Sequence, residues 1–233
     1  TNVSVSANTA AGFSIVKYTG NATSGATVGH GLSAAPDMVI AKGLSGSASS
    51  WWVHHKDVSS NDVLELNSNN QKANYSSVFN NTAPSSTLVT LGSGDPNRNG
   101  ETQILYCFHS VTGYQKFGSY SGSGSDNNAI TVGFKPDFVM VKRTNDSGGW
   151  LIFDTKRSNG NPLNDRLEAN NNQAEQTNSG DKHISITATT FVVNGSDTEL
   201  NASGSTYIYW AVAQNVTNNT TLANSFNAVF YAG

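Results

Sequence analysis

The string Gly31-Leu32-Ser33-Ala34-Ala35-Pro36-Asp37-Met38-Val39-Ile40-Ala41-Lys42 returns as Gly133-Phe134-Lys135-Pro136-Asp137-Phe138-Val139-Met140-Val141-Lys142. One order of landmarks surrounds both strings. Tyr18-Thr19-Gly20 precedes the first and Tyr120-Ser121-Gly122 the second. Trp51 and Trp150 follow, then Leu64-Glu65-Leu66-Asn67 and Leu167-Glu168-Ala169-Asn170, then Gly100-Glu101-Thr102-Gln103-Ile104 and Gly204-Ser205-Thr206-Tyr207-Ile208. Landmarks repeated in one order mean two copies of one structural unit, at 12–112 and 113–214. An N-terminal linker or entry strand (1–11) and a C-terminal tail or extra strand (215–233) flank them. The period is too long for a solenoid, whose units run about 20–50 residues. Each copy is long enough for a small domain or for half of a pseudo-symmetric sandwich.

The shared residues describe a backbone rather than a reaction. Pro36 and Pro136 each open an apolar run, as a proline at the first residue of a strand does. Asp37 and Asp137 beside them are placed to satisfy a free backbone donor in the turn. With Trp51 and Trp150, these residues form the structural repeat. The two copies are expected to superpose with Pro36 on Pro136 and Trp51 on Trp150, and with Val39, Val139, Ile104 and Ile208 buried.

The local patterns are those of strands. Phe13–Tyr18, 37–42, 137–142, Trp51–His55 and Trp150–Asp154 are short runs bounded by Gly, Ser, Asn or Asp, and further runs lie at 86–91, 103–109, 183–187, 189–193 and 206–213. No segment sustains an amphipathic helical period, and the polar tracts 67–76 and 159–180 hold a turn of helix at most. The predicted fold class is all-β, with two tandem, internally duplicated antiparallel β-sandwich units of jelly-roll-like type.

Charged residues make up 12% of the chain and the net charge is -3. Asn, Ser, Thr and Gly supply the polarity instead. Such a surface lacks the clustered Lys and Arg that nucleic-acid binding requires, and no apolar run has the length of a membrane span. The expectation is therefore no nucleic-acid partner, no membrane insertion and no cofactor. The single Cys107 lies in the apolar run Ile104–Phe108 and reads as a buried small hydrophobe.

The string 131–142, followed by Trp150 and Asp154-Thr155-Lys156-Arg157, resembles a repeat of tail-fibre and appendage proteins of marine bacteriophages. So do Lys116–Gly122 ahead of it and Asn201–Ala211 after it. The first copy departs from the pattern, with Met38 for Phe138, His55 for Asp154 and no counterpart of Arg157. The resemblance implies a non-enzymatic structural or receptor-binding module on a virion, extracellular, and homo-oligomeric as a trimer. It implies loops presented to a host-surface polysaccharide or other receptor, and carries over no catalytic residue. The apolar segment Phe226–Tyr231 is the candidate for a strand that completes a sheet or meets a neighbour.

Trp52, His54, Tyr75 and Tyr114 are the candidate glycan contacts. Period-2 alternation puts Trp52 and His54 on one strand face and Trp51, Val53 and His55 on the other. An exposed Trp52 would stack on a sugar ring beside His54; the alternative is one tryptophan in the core and one on a protein contact. Asp95, Asn97 and Asn99 alternate oxygen-bearing side chains ahead of Gly100, as in the opening of a calcium loop, but position twelve falls on Tyr106, which excludes an EF-hand. A hairpin turn explains the same residues. The alternative functions are a polysaccharide depolymerase on a phage tail and a secreted bacterial lectin or adhesin. The enzyme would need two carboxylates about 5–9.5 Å apart, drawn from Asp57, Asp62, Glu65, Asp154, Asp165 and Glu168, and no spacing sets a pair apart.

Overall fold

A computed structural model describes residues 3–158, 160–177 and 180–213. The strands of the first half are β1 (Val3–Asn8), β2 (Phe13–Thr19), β3 (Ala26–Gly29), β4 (Met38–Gly43), β5 (Trp52–His55), β6 (Asp62–Glu65), β7 (Ala73–Asn74), β8 (Leu88–Leu91) and β9 (Thr102–Phe108). One helical turn, α1 (Ser76–Phe79), follows the first polar tract. The second half holds β10 (Gln115–Ser121), β11 (Asn128–Thr131), β12 (Pro136–Arg143), β13 (Trp150–Asp154), β14 (Leu167–Glu168), β15 (His183–Ile186), β16 (Thr190–Asn194) and β17 (Thr206–Ala213). The protein is all-β, and its strand pairs are antiparallel.

The two halves share one strand order. The first large sheet runs β1-β2-β9-β4-β5-β6-β7 and the second runs β10-β17-β12-β13-β14. Small sheets, β3-β8 and β11-β16-β15, cover one face of each. The register repeats to the residue. Ile40 lies between Val53 and Tyr106, and Met140 between Ile152 and Trp210. Ile15 faces Tyr106 as Phe117 faces Trp210, and Val28 faces Val89 as Ile130 faces Phe191.

Continuous apolar strands in an antiparallel sheet need a cause, because such sheets commonly leave one face to water. Here both faces of each large sheet are covered. Val39, Ala41, Leu105 and Cys107 point toward the small sheet of the first half, and Val139, Val141, Tyr209 and Ala211 toward that of the second. The alternate residues, Met38, Ile40, Phe108, Met140 and Ile208, join Phe117 and Trp150 in a third core between the halves. The units are thus fused through a shared core rather than strung on a linker. Burial pushes the Cys107 thiol up to about 12, with Ser14 opposing, so Cys107 is a packing residue.

Each repeated landmark has a backbone task. Tyr18 Oη donates to the Pro96 carbonyl at 2.8 Å, and Tyr120 Oη to the Leu200 carbonyl at 2.7 Å. A Cβ at Gly20 would stand 2.2 Å from the Arg98 carbonyl oxygen, and one at Gly122 2.1 Å from that of Ala202, so the chain comes too close for any side chain. The Trp51 and Trp150 amides donate to Asn67 and Asn170 Oδ1 at 2.8 and 2.7 Å, which closes the repeated Leu-Glu-x-Asn strand end. Asp37 Oδ2 accepts from the Ser110 amide at 2.6 Å and from its hydroxyl, while Asp137 accepts from the Thr155 hydroxyl.

Of the two alternatives for the N-terminal segment, linker or entry strand, residues 3–8 take the second: β1 pairs with β2 over its whole length and widens the first sheet. Ile104 is only half-buried, which corrects the expectation, whereas its counterpart Ile208 is buried in the shared core. The segment Phe226–Tyr231 lies outside the described residues.

Lys142 is 0% exposed in the seam between the halves, and its Nζ donates to the Arg143 carbonyl at 2.7 Å and reaches the Asn69 carbonyl at 3.5 Å. Burial lowers its ammonium pKa to about 8, with Glu199 opposing and Arg143 reinforcing. A lysine depressed on folding binds fewer protons in the folded chain between about 8 and its ordinary value near 10.4. Stability must therefore rise with pH across that window. Urea unfolding of the Lys142→Met variant at pH 7.5 and pH 10 should show this rise removed, and an unchanged rise would exclude Lys142 as its source.

Candidate functional site

The polar tract 67–75 is held against the second half by its backbone. The Gly148 amide donates to the Asn69 carbonyl at 2.8 Å, and the Lys72 amide to the Thr144 carbonyl at 3.0 Å. Loop 144–149 is thereby fixed beside β6 and β7, and the two halves together enclose a groove of about 350 Å³. Glu65, Asn70, Gln71 and Tyr75 line it from the first half, Asp146 and Ser147 from the second.

Tyr75 is 46% exposed, and its ring meets that of Trp52 edge to face at 5.5 Å. Trp52 is half-buried against the core of the first half, and its Nε1 donates to Asp95 Oδ2 at 3.1 Å. Trp52 is therefore a prop that fixes Tyr75, and the free aromatic face belongs to Tyr75. Around it Glu65 accepts from Ser50 Oγ at 2.6 Å, and Asp146 pairs with Arg143 at 3.3 Å. A rigid ring beside amides and carboxylates offers a sugar one stacking face and a rim of hydroxyl partners.

His54 does not belong to this surface. It is 3% exposed, lies edge-on to Phe79, and has its pKa lowered to about 4 by burial and by His55. The alternation is as expected, but α1 and the small sheet cover the face that carries Trp52 and His54. Trp51 stacks on Tyr106 at 6.4 Å in the shared core, with Lys42 over its ring. Tyr114 is half-buried on the turn into β10, where its carbonyl accepts from the Ala213 amide at 2.7 Å. Tyr114 does not line the groove.

The calcium-like string has another use. Asn97 is buried, its Nδ2 donating to the Thr23 and Gly92 carbonyls at 3.1 and 2.7 Å and its Oδ1 accepting from the Asn21 amide at 3.0 Å. Asn201 repeats the arrangement: Nδ2 donates to Ser125 and Gly195 at 2.8 and 2.7 Å, and Oδ1 accepts from the Ser123 amide at 2.9 Å. An amide that spends both hydrogens on carbonyls is a loop plug, with its one oxygen already occupied. Asp95 is engaged by Trp52 and Asn99 is exposed. Among the described residues no three His, Cys, Asp or Glu side chains gather as a metal site.

The description of one family, a domain of unknown function (DUF7483), matches residues 1–215. The chain belongs to the DUF7483 family. No curated protein and no solved structure matches it. The DUF7483 match runs through both halves, in keeping with the core they share.

Several acids of this DUF7483 chain are engaged in local pairs. Asp62 bonds Lys72 at 2.8 Å, and Glu168 bonds Asn171 Nδ2 at 2.6 Å with Arg166 3.5 Å away. Burial works to raise the Asp154 pKa, but the hydrogen bond from Arg157 at 2.5 Å and neighbouring amides outweigh it and hold the carboxyl below its ordinary value. Arg157 also donates to the Ile152 carbonyl at 2.9 Å, so the family-like Asp154-Thr155-Lys156-Arg157 string pins the exit of β13. The sequence pointed to Tyr75 without its neighbours. The remaining signal was the proximity of Asp146 and Ser147 to the repeated Trp150, which marks a loop at the seam.

Proposed function

We propose that this chain is a non-enzymatic structural and receptor-binding module of a virion appendage such as a tail fibre, working as a trimer and displaying its seam groove to neutral host-surface glycans. The observation that supports the binding role is Tyr75, an exposed ring held edge-on by Trp52 in a groove that neither half forms alone. The appendage role rests on the resemblance of the second repeat and on repeated residues that each serve the backbone. Glu65 and Asp146 on the rim disfavour anionic sugars and favour neutral hexoses or amino sugars. One such site should bind near the millimolar end, about -4 kcal/mol, and a trimer would gain about 10²–10⁴ in avidity.

The test is a glycan array of neutral, amino and sialylated sugars probed with the wild-type chain and with Tyr75→Ala. The variant should lose about 2- to 12-fold in affinity, as an aromatic contact of about 0.5–1.5 kcal/mol implies, with its thermal midpoint nearly unchanged. Equal binding by both proteins, or preference for sialylated sugars, would exclude this groove as the site.

A further inference from the structure

The two copies part company at one inward-facing position. His54 pairs with Val39 and Phe153 with Val139, so the two side chains hold the same place in the repeat. The backbone beside them repeats as well. The Lys56 amide donates to the Asp37 carbonyl at 2.7 Å, and the Thr155 amide to the Asp137 carbonyl at 3.0 Å. Phe153 is 0% exposed and packs in the core of the second half. His54 is nearly as well covered, yet its ring has no hydrogen-bond partner among the described residues. A buried polar group left unpaired is costly, and the other copy shows that an apolar ring meets the structural need. His54 also lines a cavity of about 500 Å³, within the size range of small-molecule sites. Pro36 and Pro84 give this cavity apolar walls, and Lys56, Asp57 and Ser59 give it polar ones.

We propose that this cavity is a second binding site, which takes one neutral sugar unit and pairs its hydroxyl groups with the His54 ring. Burial and the neighbouring His55 keep the imidazole neutral. A neutral imidazole offers one donor and one acceptor, and a hydroxyl group answers either. Charge in the cavity argues against an acidic ligand. Lys56 Nζ already lies 3.8 Å from Asp37 Oδ1, and Asp57 adds a further carboxylate. A metal would need converging ligands, and among the described residues no three His, Cys, Asp or Glu side chains gather for one. The cavity shares no lining residue with the Tyr75 groove, so the two sites stand or fall separately.

NMR titration of the full chain with glucose, galactose, mannose and N-acetylglucosamine tests this, read at the His54 ring and the Ser59 amide. At least one of these sugars should shift both signals saturably. His54→Phe should weaken that sugar at least about fivefold at the Ser59 amide, since it removes both ring hydrogen bonds. Its urea midpoint should stay at or above that of the wild-type chain, because the repeat already packs phenylalanine at this place. Asp57→Ala, on an exposed residue, should weaken binding in the same direction. The proposal fails if none of the sugars moves the two signals, which would leave the cavity to ordered water. It fails equally if a folded His54→Phe chain binds as the wild type does, or, should that chain not fold, if Asp57→Ala does. A sugar that shifts the Tyr75 ring but neither His54 nor Ser59 sits in the seam groove, which overturns this site and leaves the other intact.

Discussion

Replacing Asn97 or Asn201 by alanine is expected to cost about 3–4 kcal/mol each. Each deletion removes at least three hydrogen bonds worth about 1 kcal/mol apiece. For Asn201 these run to the Ser125 and Gly195 carbonyls and from the Ser123 amide, with the Asn128 side-chain amide as a further donor; for Asn97 they run to the Thr23 carbonyl and the buried Gly92 carbonyl and from the Asn21 amide. Urea unfolding midpoints measure the loss, and a cost below about 1 kcal/mol would contradict the plug role. Replacement by aspartate separates shape from chemistry, since it sets a carboxylate oxygen against two carbonyl oxygens. The folded acid should then keep its proton to higher pH than the unfolded one, so its defect should be smallest at acid pH and grow as pH rises. Calcium should leave the midpoint of the wild-type chain and of both alanine variants unchanged. A calcium-dependent rise lost in Asn97→Ala would restore the metal reading.

Much of the fold was legible because its two copies obey one backbone logic. Tyr18 and Tyr120, Gly20 and Gly122, and Asn67 and Asn170 recur because a carbonyl, a close chain crossing and a strand end recur with them. Alternation also assigned Trp52 and His54 to one face correctly. It was silent on which faces are wet, because period 2 describes one strand and the covering layer comes from elsewhere in the chain. His54 was misplaced for that reason: α1 and the small sheet bury it. The groove was invisible for a related one. Asp146 and Tyr75 meet only once the halves have packed, and the bonds that bring them together run from backbone to backbone, at Gly148 to Asn69 and Lys72 to Thr144, where residue type carries little signal. Asn97 was read as an oxygen donor since a sequence does not tell which end of an amide is in use.

Trp150→Ala should be the most damaging single change, and its signature should be loss of coupling as well as of stability. Trp150 is 1% exposed in the core between the halves, alongside Met140, Ile208, Val53 and Leu64. Its Nε1 donates across the seam to the Glu65 carbonyl at 2.9 Å. Truncating a buried tryptophan costs about 3–5 kcal/mol through lost transfer energy and the cavity left behind, and the lost hydrogen bond to the Glu65 carbonyl, which keeps the Ser68 amide as a donor, adds about 1 kcal/mol. Because the cavity opens between the halves, each half keeps its own core and loses its grip on the other. Calorimetry should pass from one cooperative transition to two, with a calorimetric enthalpy exceeding the van't Hoff value. Leu163→Ala is the control: Leu163 is equally buried but belongs to the core of the second half alone. It should cost about 2–5 kcal/mol without changing how the halves report on each other. Trp51→Ala should cost less than Trp150→Ala, because Trp51 is half-buried at the rim where it stacks on Tyr106. A Trp150→Ala protein that still unfolds in one transition, as stable as Trp51→Ala, would show that the third core is contact without coupling, and the halves would have to be regarded as two domains that touch.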